Sequence, residues 1–486
     1  MKKVYFITGS QDLYGEEVLC QVAKDSETIA KYLDEKIDGV KIEYCATVRD
    51  EKSCVDACQK ASNDSDCIAV ITWMNTFRPA KMCIKGLQLI TKPLLHFHTQ
   101  ANEKLPYDEI DMDFMNLNQT AHGGREYGFM CTRLGVKREV IVGYYKHEDV
   151  IEKIKKFLDV ARAVDFSKNL NVCMFGSNMR EVSVTDGDRV ESQIKYGWNV
   201  NYYGIGDLVK LVNEVSDKEV DAKIEEYKKL YVMNTDNIDA VKEQAKYEIA
   251  LDKFLTEGNF GAFTDTFQDL HGLRQLPGLA TQRMMAKGIG FGAEGDYKTA
   301  ALGAIFAEMA KTRDGSTGFM EDYTYDFTKG DEVVLGAHML EVSPDFASTK
   351  PQIEVHPLGI GGKEAPARLV FDGVSGDGVA VCMIDMGDRF RLICAKIELV
   401  KQPKPMPKLP VARIMWKLKP DHKTGAAAWI YAGGAHHTVV STALTVDDIC
   451  LFAKLTDTEI VVIDENTDLN KLQQELGMLD LVAKLK

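Results

Sequence analysis

The stretch Cys67-Ile-Ala-Val-Ile-Thr-Trp-Met74 is the longest clearly apolar run in the first part of the chain. It is far too short to cross a bilayer, so it predicts a buried strand. Similar β-rich runs, separated by polar helical stretches, occupy residues 3–8, 40–44, 94–98 and 140–145. This alternation predicts a parallel sheet with helices on both faces, in which the loops at the carboxyl ends of the strands hold ligands.

The rest of the chain divides into a second α/β region and a β region. A long helical segment at residues 152–164 leads into further strands at 171–175 and 198–203. From residue 319 to residue 400 the helical period gives way to alternation and frequent glycines, which is typical of antiparallel β structure. We therefore predict an α/β protein with two doubly wound parallel-sheet domains and a C-terminal antiparallel, mainly β domain. The predicted domains are residues 1–168, 169–316 and 317–486.

Composition and charge argue against several classes of partner. The 486-residue chain has a formal net charge of −14 at pH 7 and no run of lysines or arginines, which argues against nucleic acid. The start, MKKVYFITGSQD, lacks the long apolar segment of a signal peptide. Eleven scattered cysteines, an odd number, argue against a closed disulfide framework. We expect a cytoplasmic protein with reduced thiols and no membrane partner.

Two glutamates and two histidines in the last two-fifths of the chain are the strongest chemical signal. They are Glu294 in FGAEGDYK, Glu321 in GFMEDYTY, His338 in LGAHMLE and His437 in GGAHHTV. Each lies in a short glycine-containing segment beside apolar sequence, where such a side chain is costly unless it is paired or binds a metal. Two carboxylates and two imidazoles without a thiolate suit a six-coordinate divalent cation harder than zinc, with room for substrate oxygens.

Other motifs leave alternatives open. The segment from Gly290 to Gly295 formally matches G-x-G-x-x-G, but Glu294 inside that loop would repel a pyrophosphate. Gln11 in GSQDLYG follows the first strand, where it could contact a polar ligand or belong to an ordinary turn with a helix cap. His122 stands in NLNQTAHGGREYG among more donors and acceptors than a surface loop needs, a composition that suits a polyhydroxylated ligand.

The chain resembles the L-arabinose isomerases in strings that run in order over essentially its whole length: GSQDLYG, MDFMNLNQTAHGGRE, NMREVSVTDGD, DLHGLRQLPGLA, AEGDYKTAAL, FMEDYTYDF, LGAHMLEV, LGIGGKEAPARL and AGGAHHTV. The resemblance implies N-terminal and central α/β domains of the fucose-isomerase type, a C-terminal β domain and a homohexamer. It also implies one Mn²⁺ ion per subunit, bound by Glu294, Glu321, His338 and His437. Ala293 stands where the family often has glycine.

The same resemblance implies a metal-dependent isomerase that converts L-arabinose to L-ribulose, and also D-galactose to D-tagatose, through a cis-enediol. Glu294 and Glu321 would act as a base and acid pair beside a metal that polarises the carbonyl group. A neighbouring subunit would present its N-terminal domain to complete the active site. The candidates for the sugar pocket are Gln11, Phe77, Gln119, His122 and Met179, with Phe263 a weaker one.

Two other classes of protein fit parts of the sequence. A glycosidase uses paired carboxylates, but it needs no imidazole ligands and would stay active in a chelator. A sugar-binding protein on an α/β scaffold would bind a pentose without turnover and would have no reason to keep a metal site. Metal-dependent formation of a ketose from L-arabinose separates the isomerase from both.

Overall fold

The protein's fold comes from a computed structural model that describes residues 1–359 and 361–485. Ile360, in the string LGIGGKEAPARL, and Lys486, at the end of the predicted third domain, lie outside the described residues. All eleven cysteines are free thiols. Across the described ranges, no helix has both the length and the apolar character needed to cross a membrane. The chain forms two units, Met1–Asp165 with Lys454–Asp457 and Phe166–Ala453 with Thr458–Lys486.

The apolar runs of the first unit form one sheet of five parallel strands, which confirms the prediction. All eight residues of the central run are buried. The strands are β1 (Lys3–Gly9), β2 (Lys41–Val48), β3 (Cys67–Met74), β4 (Leu94–His98) and β5 (Glu139–Val142). The helices are α1 (Gly15–Lys36), α2 (Glu51–Asn63), α3 (Ile84–Leu89), α4 (Met112–Leu117), α5 (Thr120–Arg133) and α6 (Glu148–Ser167).

The strand order of this sheet defines a place for a ligand. The order is β2-β1-β3-β4-β5, so the chain runs outward from β1 to β2 and then crosses back to β3. Ligands of open parallel sheets bind beside the carboxyl ends of the strands at such a reversal. Gln11 follows β1 and Phe77 follows β3 at these ends. The two loops are joined by a 2.9 Å hydrogen bond between the hydroxyls of Ser10 and Thr76.

The second unit begins with another parallel sheet, in the order β10-β9-β6-β7. The strands of this region are β6 (Asn171–Phe175), β7 (Asn199–Tyr203), β8 (Val232–Met233), β9 (Ala262–Asp265) and β10 (Gly290–Gly292). Its helices are α7 (Arg189–Tyr196), α8 (Ile205–Glu214), α9 (Asp217–Leu230), α10 (Ile238–Glu257), α11 (Gly278–Ala286) and α12 (Tyr297–Ala310). Both parallel-sheet regions of the predicted fold are therefore present.

The remainder forms a closed, mostly antiparallel barrel, as the alternation predicts. Its order is β15-β18-β11-β12-β17-β16, and it closes because β15 also pairs with β16, while β19 adds to β16 in parallel. The strands of this region are β11 (Thr317–Asp326), β12 (Val333–Ala337), β13 (Gln352–Val355), β14 (Ala367–Val370), β15 (Gly376–Asp385), β16 (Phe390–Val400), β17 (Ile414–Leu418), β18 (His437–Ser441) and β19 (Glu459–Ile463). Strands β13 and β14 lie outside the barrel and form a three-stranded sheet with β8. The helices are α13 (His422–Tyr431), α14 (Val446–Leu455) and α15 (Leu469–Leu485).

The second unit packs its parallel sheet and its barrel together. Strand β8 pairs with β13, and one hydrophobic core includes Tyr227 and Val241 together with Ile393 and Trp416. Helix α12 is almost wholly buried, because it contacts β9 and β10 as well as the barrel strands β11, β15 and β18. The division of this unit into two domains at residues 316 and 317 stays a prediction.

The contact between β10 and α12 generates a stability prediction. A Cβ atom at Gly290 would lie 2.0 Å from the carbonyl oxygen of Ala300 and 2.5 Å from the amide nitrogen of Ala304, so strand and helix would have to separate. We expect Gly290→Ala to lower the free energy of unfolding by about 2 kcal/mol or more, measured by urea denaturation. The control is Gly303→Ala, where the nearest atom is 3.6 Å away. A wild-type urea midpoint for Gly290→Ala would contradict the close packing.

Candidate metal and substrate site

Glu294 lies in the turn between β10 and α12, and its backbone is unusual. Its φ is +60°, in the left-handed region that costs a non-glycine residue about 1–2 kcal/mol. Two hydrogen bonds hold the turn: the carbonyl of Glu294 accepts from the N–H of Met179, and the N–H of Gly295 donates to the carbonyl of Asp265, both at 2.9 Å. Residues whose strained backbone is held in place by the surrounding structure cluster at functional sites.

Adjacent barrel strands supply the other predicted ligands. Glu321 in β11 is paired with His437, the first residue of β18, and with Ala337, the last residue of β12. His338 follows Ala337 directly. Three side chains that are distant in sequence therefore start from the same part of the barrel wall.

Both histidines turn Nε2 toward a glutamate. His437 Nε2 lies 3.8 Å from Glu294 Oε2, and His338 Nε2 lies 3.9 Å from Glu321 Oε2. These distances are too long for hydrogen bonds. They fit two ligands that each lie about 2.1 Å from one ion, which places the ligand atoms about 3–4 Å apart. The Phe319 ring packs against both imidazoles, with centroid distances of 5.1 and 5.2 Å.

The other nitrogen of each histidine is held by a carboxylate. His338 Nδ1 lies 2.5 Å from Glu341 Oε2, and His437 Nδ1 lies 3.2 Å from Asp296 Oδ2. His437 is fully buried, and its Nε2 has no hydrogen-bond partner in the described part of the chain. Carboxylates on Nδ1 orient the imidazoles of metal sites in this way. An oriented, buried and unpartnered nitrogen fits a metal ligand.

His436 belongs to the same cluster, and the sequence analysis missed it. Its Nε2 lies 3.4 Å from Glu294 Oε2 and 3.9 Å from Glu321 Oε1. The contact with Glu294 raises the pKa of His436 and is the largest cause of the lowered pKa of Glu294. Glu294, His436 and His437 offer ligand atoms within 4.8 Å of one another, so His436 could bind the same metal ion as the other two residues. The two consecutive histidines of the string HHT are the feature of the sequence from which His436 could have been predicted.

Asp296 connects this cluster to the core of the unit. Its buried carboxylate caps the N-terminus of α12, accepts from the hydroxyl of Thr299 at 2.7 Å and lies 3.3 Å from Lys298 Nζ. Burial alone would raise the pKa of Asp296, but Lys298 and His437 outweigh it and hold that pKa below its usual range. The fully buried Lys298 also donates to the carbonyls of Thr185 and Asp186, at 2.9 and 2.6 Å.

A cavity of about 310 Å³ opens beside these residues. Its walls include Glu294, Glu321 and His338, together with Met179, a predicted pocket residue. Phe263, the weaker candidate, is fully buried and packs against Phe291 in the core. Phe267, beyond the end of β9, lines the cavity instead. Other apolar wall residues are Leu270, Leu276, Pro277, Phe291 and Leu340.

Two other carboxyl groups of the cavity wall, Asp265 and Asp322, have raised pKa values. Burial, followed by the charge of Glu341, raises the pKa of Asp265 to about 7. Burial, followed by the charge of Glu321, raises the pKa of Asp322 to about 7. The cavity therefore combines an acidic end, which suits a cation, with apolar walls, and its size suits a small molecule.

Family models match nearly the whole chain. The models of the L-arabinose isomerase N-terminal, central and C-terminal domains match residues 1–169, 171–312 and 316–459. The chain belongs to the L-arabinose isomerase family. This assignment confirms the resemblance found in the sequence, and it makes the protein an isomerase.

Individual relatives extend the match to full length. The L-arabinose isomerase 1 of Bacillus licheniformis is 49% identical over 484 residues, which cover 99% of this chain and 98% of that protein. The L-arabinose isomerase of Anoxybacillus flavithermus is 51% identical over 479 residues, 97% of this chain and 95% of the relative. The L-arabinose isomerase of Thermotoga petrophila is 50% identical over 480 residues, which cover 98% of this chain and 97% of that protein.

In this member of the L-arabinose isomerase family, the four predicted pocket residues of the first unit lie together. Gln11 donates from Nε2 to the carbonyl of Phe77 at 3.0 Å. The rings of Phe77 and His122 are 4.8 Å apart, and His122 Nδ1 lies 3.2 Å from Gln119 Oε1. The cluster stands at the carboxyl ends of β1 and β3, where the strand order reverses.

The buried pair of Asp296 and Lys298 generates a second stability prediction. Lys298→Met would leave the buried Asp296 carboxylate without its main cationic partner, so we expect a loss of about 3–5 kcal/mol in the free energy of unfolding. The control is Lys228→Met, which removes an exposed ion pair with Glu225 and should change stability by less than about 1 kcal/mol. Both are measured by urea denaturation. Equal effects of the two substitutions would show that the buried pair is not what stabilises this turn.

Proposed function

We propose that this protein converts L-arabinose to L-ribulose in the cytoplasm. The observation that carries the proposal is the match at about half identity to proteins named L-arabinose isomerase over nearly their whole length. The cavity with its glutamates and histidines gives the reaction a site. The free thiols suit a reducing compartment. D-galactose is a further substrate in this proposal, because it repeats the configuration of L-arabinose from C2 to C4.

One Mn²⁺ ion per subunit completes the proposed site. Glu294, Glu321, His338 and His437 would hold it, and the unpartnered Nε2 of His437 is the main support. We prefer His437 to its neighbour His436 because Asp296 orients the ring of His437 from the other side. When bound, the ion acts as a Lewis acid that polarises the sugar carbonyl and neutralises the charge that develops on O1 and O2.

The two glutamates carry the proton transfers of the proposed mechanism. Isomerisation of the aldose moves one proton from C2 to C1 and another from O2 to O1, by way of a cis-enediol. One carboxylate of the pair Glu294 and Glu321 removes the proton from C2 and returns it at C1, while the other serves the oxygens. His436 lies within hydrogen-bond reach of Glu294, so it would hold that carboxylate in place. The apolar cavity wall excludes water from the intermediate.

We also propose a homohexamer in which neighbouring subunits share each active site. All four proposed metal ligands belong to the second unit, whereas Gln11, Phe77, Gln119 and His122 belong to the first. In the proposal, the first unit of one subunit presents this polar cluster to the sugar bound by its neighbour. Catalysis would then require the assembly.

The metal proposal predicts the effect of a chelator. EDTA should abolish the formation of ketose from L-arabinose, and Mn²⁺ should restore it better than Mg²⁺, because imidazole ligands favour the later metal. A colorimetric assay of ketose, made after exhaustive dialysis against EDTA, measures both effects. The control is addition of Mn²⁺ to enzyme that has not been treated with EDTA. Full activity in the metal-free protein would sink the metal proposal and would mean that the carboxylates isomerise the sugar without a metal ion.

The proton-transfer proposal predicts the effect of neutral isosteres. Glu294→Gln and Glu321→Gln should each lower kcat by about 10² to 10⁴ or more, because each loses a proton-transfer group and a metal ligand. Circular dichroism should remain that of the wild type. Glu257→Gln, at an exposed position in α10, is the matched control and should keep full activity. If either active-site variant kept more than about a tenth of the wild-type kcat, that glutamate would not have the proposed role.

The shared-site proposal predicts complementation. His122→Ala and Glu294→Gln should each be nearly inactive, but oligomers reassembled from a mixture should regain part of the activity. Some neighbouring subunits would then combine an intact polar cluster with an intact metal site. Differently tagged chains show that mixing has occurred, and each variant reassembled alone is the control. Oligomers that are demonstrably mixed yet inactive would mean that each chain builds its own site.

A further inference from the structure

Asp265 is a cavity residue to which neither the family motifs nor the proposed mechanism gives a task. It is the last residue of β9, and only 9% of its surface is exposed. The part that remains exposed contributes to the cavity wall, together with Glu294 and Glu341. Its backbone is fixed, because β9 pairs with β10 and the carbonyl of Asp265 accepts from Gly295.

Three acidic groups near Asp265 each have a partner. Glu341 is bonded to His338, Glu294 to His436, and Asp296 to Thr299 and Lys298. By contrast, among residues 1–359 and 361–485 no donor reaches the carboxyl oxygens of Asp265 within hydrogen-bond or ion-pair distance. A nearly buried carboxyl group without a donor is costly for the folded protein. Such a cost indicates a group kept for a ligand.

The chemistry of the cavity narrows the choice of ligand. The carboxylates around it would repel an anion, and most of its remaining wall is apolar. A sugar placed there with C1 and C2 near Glu294 and Glu321 would bury its remaining hydroxyls, and each of these then needs an acceptor in place of water. Asp265 offers two acceptor oxygens.

We propose that Asp265 accepts a hydrogen bond from one substrate hydroxyl on C3, C4 or C5 and thereby sets the position and the specificity of the bound sugar. This inference rests on the proposed function, because it assumes an aldose in the cavity. The role is one of binding, since Asp265 does not serve the reacting carbons. It explains why an uncompensated carboxyl group is retained at the end of a buried strand.

The test compares Asp265→Leu with Asp265→Asn in the Mn²⁺-loaded enzyme. Leucine removes the acceptor and should lower kcat/KM for L-arabinose by about tenfold to a hundredfold, mainly through KM. Asparagine keeps an acceptor oxygen and should recover part of the loss. The control is Thr264→Val on the opposite face of β9, which removes a buried hydroxyl that has no partner in the described structure and should leave KM unchanged.

Deoxy sugars identify the hydroxyl. With 3-deoxy-, 4-deoxy- and 5-deoxy-L-arabinose as substrates, one analogue should lose less than about twofold in kcat/KM on Asp265→Leu, because its missing hydroxyl is the one that Asp265 binds. The other two should lose as much as L-arabinose. Equal losses for all three analogues, or no loss with L-arabinose, would overturn the proposal.

Two readouts separate a binding role from a structural one. The urea midpoint of Asp265→Leu without sugar should equal or exceed that of the wild type, because the substitution removes an unpaired buried carboxyl group. A lower midpoint, or weaker Mn²⁺ binding, would assign Asp265 to the fold or the metal instead. Binding of L-arabinitol, measured by calorimetry, should weaken about tenfold or more. If the wild type leaves L-arabinose unchanged, the proposed function fails, and this binding measurement alone decides on Asp265.

Discussion

The contact between Asp296 and His437 is the interaction on which the candidate site depends. Asp296 caps α12 in the parallel-sheet region, whereas His437 begins β18 in the barrel, and both side chains are buried. A buried carboxylate persists only when cations and donors compensate its charge. Lys298, Thr299 and the N-terminus of α12 provide that compensation. They fix the Asp296 carboxylate in the position from which it contacts the imidazole of His437. The same contact therefore joins two parts of the unit and aims Nε2 of His437.

His338 is oriented in an equivalent way by Glu341. The two carboxylate–imidazole pairs come from different elements, yet both leave Nε2 facing a glutamate across nearly equal distances of 3.8 and 3.9 Å. Glu294 reaches its position through a left-handed backbone, in a turn that two hydrogen bonds, from Met179 and to Asp265, hold. Backbone strain and buried charge thus converge on one small volume, and this convergence supports the proposed metal-assisted isomerisation.

Much of the fold was predictable because it follows from local pattern. The apolar run that became β3 and the alternation of the barrel strands each follow from which faces are buried. The pairing of Val232 with Gln352 within the second unit was less accessible, because it leaves no local signal in the sequence. Within the site, the four selected residues stood out as polar groups in apolar, glycine-containing segments. Asp296 and Glu341 did not; Asp296 precedes a helix, where a carboxylate resembles an ordinary cap. Phe263, the weaker pocket candidate, packs in the core, whereas Phe267 beyond the strand end lines the cavity.

The location of the ion is the most direct test of this account. Anomalous diffraction at the manganese edge, from crystals grown with Mn²⁺, should show one strong peak per subunit. The peak should lie about 2.0–2.4 Å from carboxylate oxygens of Glu294 and Glu321 and from Nε2 of His338 and His437. His436 should remain outside that shell. A peak bound by His436 in place of His437, or no peak among these residues at saturating Mn²⁺, would contradict the assignment of the metal site.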